Sequence, residues 1–217
     1  MEWFEPEVRE LERERMRCRL PPHPTVFYGS SSIRLWTTLA EDLGDTRAIN
    51  LGFGGATLEA CVQFFDRLVP PTQPGALVVY AGDNDLGDGR TPNQVVGWFG
   101  QMAGKVERDL APIPFGFMSI KPSPARVFLL DRIVETNEAI RREITRHAGA
   151  FYIDVFTPML TPSGDPRADL FLDDGLHLSR AGYQLWTEVL GTYRNRMFAR
   201  STRDSQTAVL PSSGDAP

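Results

Sequence analysis

The chain has 217 residues, a length that suits one core, because single cores stop growing at about 250–300 residues. Hydrophobic residues make up 41% and charged residues 24%, which excludes a wholly disordered chain. The formal net charge of −5 argues against a nucleic-acid partner, and no apolar run approaches the length of a membrane-spanning helix.

The opening stretch, MEWFEPEVRELERERMRC, is dense in Glu and Arg and has no apolar signal-peptide core. It predicts a helix within residues 1–20, laid across the domain, and a cytoplasmic location. Cys18 and Cys61 read as reduced thiols. The first apolar run, Thr25–Tyr28, predicts strand one. Gly29 after it permits a sharp turn, and Ser30-Ser31-Ser32 leads into a helix. A serine there stands beside free backbone N–H groups that favour a developing negative charge, or it caps the helix.

Strand two is predicted at Ala48–Leu51, followed by Gly52, Gly54 and Gly55. Glycines there let backbone N–H groups approach a ligand, or simply make a tight turn. Leu58, Cys61, Val62, Phe65 and Val69 recur at helical spacing, with Thr57 as N-cap. Strand three, Ala76–Ala81, runs into Gly82 and Asn84. A carboxamide N–H at a strand end donates to an oxyanion without titrating. Asp83, Asp85 and Asp88 beside it lack calcium-loop spacing and read as turn or cap residues.

Thr91-Pro92 opens a further helix. Pro114–Ile120 is strand four, and Ser119–Arg126 then borders the carboxyl edge of the sheet, where Lys121 and Arg126 are candidate contacts for a polar or anionic substrate. Val127–His147 predicts a long helix with Ile133, Ile140 and Ile144 on its apolar face, and Ala150–Val155 is strand five. Asp174 and His177 stand three residues apart just before the last helix, which Ser179 caps and which is expected to run to about Phe198. A carboxylate at that spacing accepts from imidazole Nδ1 and leaves Nε2 as a general base, or the two form a surface pair. His23 and His147 read as structural.

Strands that are apolar throughout and separated by helices imply a parallel sheet covered on both faces. The expectation is an α/β fold, a three-layer α/β/α sandwich on a five-stranded parallel sheet. Residues 1–200 form its single domain and the polar stretch 201–217 a disordered tail. Ligands bind such sheets beyond the carboxyl ends of the strands, where each of these motifs falls.

The four blocks, GSSSIRLW, NLGFGG, YAGDND and DGLHL, together with SIKPSPAR, resemble the SGNH hydrolases, also called GDSL-type esterases and lipases. The resemblance spans Val26 to about Leu190, and the whole pattern looks like a bacterial subgroup of predicted esterases. It implies a flavodoxin-like fold, Ser31 as nucleophile, His177 as base and Asp174 as its partner. It also implies an oxyanion hole made by the Ser31 and Gly55 backbone N–H groups and the Asn84 side chain. The family's Gly-Asp-Ser reads Gly29-Ser30-Ser31 here, and Asp83 separates Gly82 from Asn84.

The implied substrate is a small-molecule ester, with a short acyl chain or an O-acetyl group on a sugar or other small alcohol. No cofactor, metal, nucleic acid or membrane is required, and nothing in the sequence specifies an oligomeric state. The elbow G-x-S-x-G of the α/β-hydrolases surrounds no serine. Rival readings are action on longer acyl chains, as a lysophospholipase or thioesterase, a non-catalytic ligand-binding domain, and a metal-dependent phosphodiesterase using the aspartates.

Overall fold

In a computed structural model describing residues 1–110 and 112–198, five parallel strands form one sheet in the order β2-β1-β3-β4-β5. They are β1 (Thr25–Gly29), β2 (Ala48–Gly52), β3 (Ala76–Tyr80), β4 (Phe115–Met118) and β5 (Ala150–Ile153). The helices are α1 (Glu5–Arg17), α2 (Ser31–Arg34), α3 (Leu39–Asp42), α4 (Leu58–Leu68), α5 (Asp83–Gly87), α6 (Pro92–Asp109), α7 (Leu130–Glu143), α8 (Arg180–Gly191) and α9 (Arg194–Met197). The tail expected at 201–217 lies outside the described residues.

Both faces of the sheet are apolar because both are covered. Val26 and Tyr28 of β1, with Leu77 and Val79 of β3, pack against α4, α6 and α7. Phe27, Val78 and Tyr80 point the other way, onto Ile33, Trp36, Leu39, Trp186 and Leu190. Burying a large apolar side chain of this kind stabilises the fold by about 1.5–3 kcal/mol. The link from β1 to β2 therefore covers one face and the link from β2 to β3 covers the other. In this strand order the topological switch point falls between β1 and β3, where doubly wound folds open a crevice.

Local side-chain caps set the starts of α4, α6 and α8. Thr57 Oγ1 accepts from the Ala60 N–H at 3.0 Å. Thr91 and Gln94 form a reciprocal capping box at α6, and Ser179 Oγ accepts from the Gly182 N–H at 3.3 Å. Helix α1 lies against α4, with Arg67 donating to Glu5 at 2.6 Å and to Glu12 at 2.8 and 2.9 Å.

Several expected elements differ, strand five among them, which ends at Ile153 rather than Val155. Strand four ends at Met118 because the Asn137 carboxamide takes both the N–H and the carbonyl of Ile120, at 2.8 and 2.9 Å. The helix expected over Val127–His147 begins as a 3-10 segment, Pro124–Leu129, with a non-helical Arg126, and ends in another, Ile144–Arg146. The last helix does not run unbroken to Phe198. It stops at Gly191, and the chain turns through Thr192 and Tyr193 so that Tyr193 stacks on Phe151, ring centroids 5.6 Å apart.

Candidate active site

The turn after β1 is forced by close approach. Gly29 has φ +148°, and a Cβ there would lie 1.9 Å from the Tyr80 carbonyl oxygen. The Ser30 N–H donates to that same oxygen at 3.0 Å. This presses the start of α2 against the end of β3 and brings Ser31 to the crevice. Ser30 and Ser32 are buried, and Ser31 is the partly exposed member of the three.

His177 arrives from the far end of the chain. Its Nε2 lies 3.2 Å from Ser31 Oγ, and its Nδ1 lies 2.6 Å from Asp174 Oδ2. The other Asp174 oxygen accepts from the backbone N–H groups of Leu176 and His177, at 2.8 and 2.9 Å. The His177 side chain, followed by these N–H groups, holds the Asp174 carboxyl down at about 2. It is ionised at any ordinary pH. Asp173 is exposed and makes no hydrogen bond among the described residues.

The three donors expected from the sequence, Ser31, Gly55 and Asn84, follow β1, β2 and β3 in turn. Gly55, at φ +67°, takes the left-handed conformation that glycine tolerates. The Ser31 and Gly55 N–H groups donate to no protein acceptor among the described residues. The neighbouring Gly54 N–H is taken by Glu7 of α1 at 2.8 Å. Asn84 Nδ2 donates to the Ala56 carbonyl at 3.0 Å, and Asn84 Oδ1 accepts from Arg126 Nη2 at 2.9 Å.

The two candidate substrate contacts part company here. Lys121 is 1% exposed, and its ammonium donates to Asp83 Oδ2 at 2.9 Å, so it does not reach a substrate at the edge. A buried ammonium needs such a partner, and the partner comes from the turn after β3. Arg126 is 18% exposed and shares the same carboxylate oxygen at 3.2 Å. Burial opposes ionisation of Asp83, but Lys121 and Arg126 outweigh it and hold its carboxyl below the ordinary range.

Asp85, read as a turn or cap residue, and Asn137, not singled out in the sequence, each satisfy backbone groups of another element. Asp85 accepts from the Leu58 N–H at 2.7 Å, and so caps α4 from the first turn of α5. Burial pushes its carboxyl up to about 6, against the pull of the Leu58 and Glu59 N–H groups. Asn137 did carry a signal. It is a carboxamide on the apolar face of α7, between Ile133 and Ile140 at helical spacing. Among the described residues no three His, Cys, Asp or Glu side chains gather as a metal-ligand set. Nor is any helix among them long and apolar enough to cross a membrane.

A cavity of about 570 Å³ opens between α1 and the α2–β2 region, lined by Glu7, Glu10, Leu11, Arg34, Trp36 and Asn50 among others. It contains none of Ser31, Asp174 or His177, so volume is a poor guide to the chemistry here. The side chains of His177 and Asp174 are 29% and 47% exposed, which makes their setting open rather than deep.

A model of the GDSL-like lipase/acylhydrolase family matches residues 25–185. No curated protein sequence matches the chain significantly. Among solved structures, a Streptococcus pneumoniae protein named for platelet activating factor is similar at 21% identity and TM-score 0.77, covering 88% of this chain and 94% of its own. A GDSL-like lipase from Bacteroides thetaiotaomicron is similar at 20% identity and TM-score 0.74, covering 86% and 96%. A carbohydrate esterase of family 3 from Talaromyces cellulolyticus is similar at 17% identity and TM-score 0.64, covering 81% and 99%. At these identities the likeness is one of fold.

Proposed function

The chain belongs to the GDSL-like lipase/acylhydrolase family, and from that premise we propose that it hydrolyses small carboxylic esters through an acyl-enzyme on Ser31. One observation carries this reading: His177 stands between Ser31 Oγ at 3.2 Å and the Asp174 carboxylate at 2.6 Å. That is hydrogen-bond reach on both ring nitrogens.

In this mechanism His177 Nε2 takes the Ser31 proton as Oγ attacks the ester carbonyl. The tetrahedral oxyanion accepts from the Ser31 and Gly55 N–H groups and from the second N–H of Asn84. Collapse breaks the bond to the alcohol, which leaves with the proton from His177. Water then repeats the sequence on the acyl-enzyme and releases the acid. Asp174 keeps the proton on Nδ1 and stabilises the imidazolium. The steps use no metal, cofactor, nucleic acid or membrane.

The proposed substrate carries a short acyl chain, with an O-acetyl group on a sugar or small alcohol first in line. The open setting of His177 supports this, and the similar Talaromyces structure is a carbohydrate esterase. The proposed compartment is the cytoplasm, in keeping with two free cysteines, Cys18 and Cys61. A fluorophosphonate probe should label Ser31 and no other serine. A series of p-nitrophenyl esters should show acetate and butyrate far ahead of palmitate. Absence of labelling favours a ligand-binding domain, and a preference for palmitate favours a lipase or lysophospholipase.

A further inference from the structure

Asn84 is gripped on both sides by groups of opposite polarity. Arg126 Nη2 donates to its Oδ1 at 2.9 Å, and its Nδ2 donates to the Ala56 carbonyl at 3.0 Å. Turning the carboxamide over would set its NH₂ against the guanidinium and its oxygen against a carbonyl. Two hydrogen bonds would become a donor–donor and an acceptor–acceptor contact. In the observed orientation one amide N–H is satisfied by the Ala56 carbonyl and the second stays free for another acceptor.

We infer that Arg126 is a positioning residue, fixing the Asn84 carboxamide so that this second N–H is presented to the oxyanion. The inference rests on the ester-hydrolase reading above. The guanidinium also polarises the amide through Oδ1, which strengthens its N–H as a donor.

Arg126 is itself held. Its Nη1 lies 3.2 Å from Asp83 Oδ2, which also accepts from Lys121 Nζ at 2.9 Å. Lys121 and Asp83 are 1% and 5% exposed, so the anchor is fixed in the interior. A backbone of small profile lies alongside: a Cβ at Gly87 would come within 3.1 Å of the Arg126 Cζ. Lys121, Asp83, Arg126 and Asn84 thus form a chain from the core to the site. Arg126 Nη2 is hydrogen-bonded within the protein, while Nη1 is held by charge beside Asp83 and makes no hydrogen bond among the described residues.

The test uses wild type, Arg126→Ala, Arg126→Lys, Asn84→Ala, Gly87→Ala and the double variant Arg126→Ala/Asn84→Ala. Each is melted by circular dichroism and assayed on p-nitrophenyl acetate. Loss of a positioned oxyanion donor costs about 10²–10³-fold in kcat, which sets the ceiling for Asn84→Ala. Arg126→Ala should lower kcat by about 10–100-fold with KM nearly unchanged, and Arg126→Lys should recover part of the loss. In the Asn84→Ala background, removing Arg126 should cost little more, because the residue acts through Asn84. Gly87→Ala, which displaces the guanidinium without deleting it, should show the same kcat signature more mildly and serves if Arg126→Ala does not fold. Losses that multiply in full in the double variant overturn the inference. So does a rise in KM at constant kcat, which would make Arg126 a substrate contact. A wild-type enzyme that neither labels at Ser31 nor hydrolyses esters removes the hydrolase reading itself, whereas active wild type with unimpaired Arg126 and Gly87 variants removes this inference alone.

Discussion

Asp174 sets both the turn that carries His177 and the orientation of the His177 ring. Its Oδ1 accepts from the Leu176 and His177 N–H groups, at 2.8 and 2.9 Å, while its Oδ2 meets His177 Nδ1 at 2.6 Å. Asp174→Asn should therefore cut kcat by up to about 10⁴-fold, because an amide facing Nδ1 favours the wrong tautomer. Asp173→Asn should change kcat by less than about twofold, since surface positions away from such contacts are nearly neutral. Steady-state kinetics with circular dichroism checks both. Equal small losses would leave Ser31 and His177 working as a dyad. Because the Asp174 carboxyl is held at about 2, its ionised form is present above its ordinary value and is lost only as pH falls through about 2. An acid limb of the rate profile near neutrality must then belong to another group.

The neighbours of Ser31 should answer differently from Ser31. Among the described residues Ser30 Oγ is buried with no hydrogen-bond partner, and a buried unpaired hydroxyl carries a desolvation cost. Ser30→Ala should leave the melting temperature unchanged or raised and keep most activity. Ser31→Ala should fold and lose ester hydrolysis. Activity lost in Ser30→Ala and kept in Ser31→Ala would shift the nucleophile by one residue.

Asp42 should make the fold acid-sensitive. One oxygen accepts from Trp36 Nε1 at 2.7 Å, Thr38 Oγ1 at 2.7 Å and Arg180 Nη1 at 2.6 Å. The Arg180 hydrogen bond, helped by Trp36 and Thr38, lowers its carboxyl to about 2. A depressed carboxyl contributes stability above its unfolded value, and that contribution disappears as pH falls through the folded one. Asp42→Asn should cost about 1–2 kcal/mol at pH 7, after allowance for the exposure of Arg180. Thermal melts at pH 7 and near pH 2 should show the gap between variant and wild type closing in acid. A gap that stays constant contradicts the assignment.

Asp85 should act with the opposite sign. Its carboxyl, raised to about 6 by burial, keeps its proton in the folded chain at pH values where the unfolded chain has lost it. Its contribution to stability therefore falls as pH rises from about 4 through 6, by at most about 3 kcal/mol. Asp85→Asn should flatten this slope in denaturant titrations at pH 4.5 and 7.5. Asp85→Ala should instead destabilise by about 0.5–2 kcal/mol at both, since the first turn of α4 loses its cap. A slope unchanged in Asp85→Asn would mean that another group titrates there.

The sequence by itself determined the layered fold and most of its punctuation. β1 and β3 were legible because a strand buried on both faces has no polar alternation to hide it. The caps at Thr57 and Ser179 were legible because a cap is a contact across three residues, and the helix start at Thr91-Pro92 because proline favours the first helical position. The Asp174–His177 contact is equally local. Only the tertiary structure decided what meets across the sheet. Ser31 and His177 are 146 positions apart, and Lys121 and Asp83 are 38 apart. Asp85 caps a helix 27 residues before it, and α8 breaks where Tyr193 finds Phe151. Backbone periodicity and capping are written in neighbouring residues. The partner of a buried charge is chosen by strand order, which here sets the turns after β1 and β3 side by side and pulls Lys121 inward from the edge where its position in the sequence had placed it.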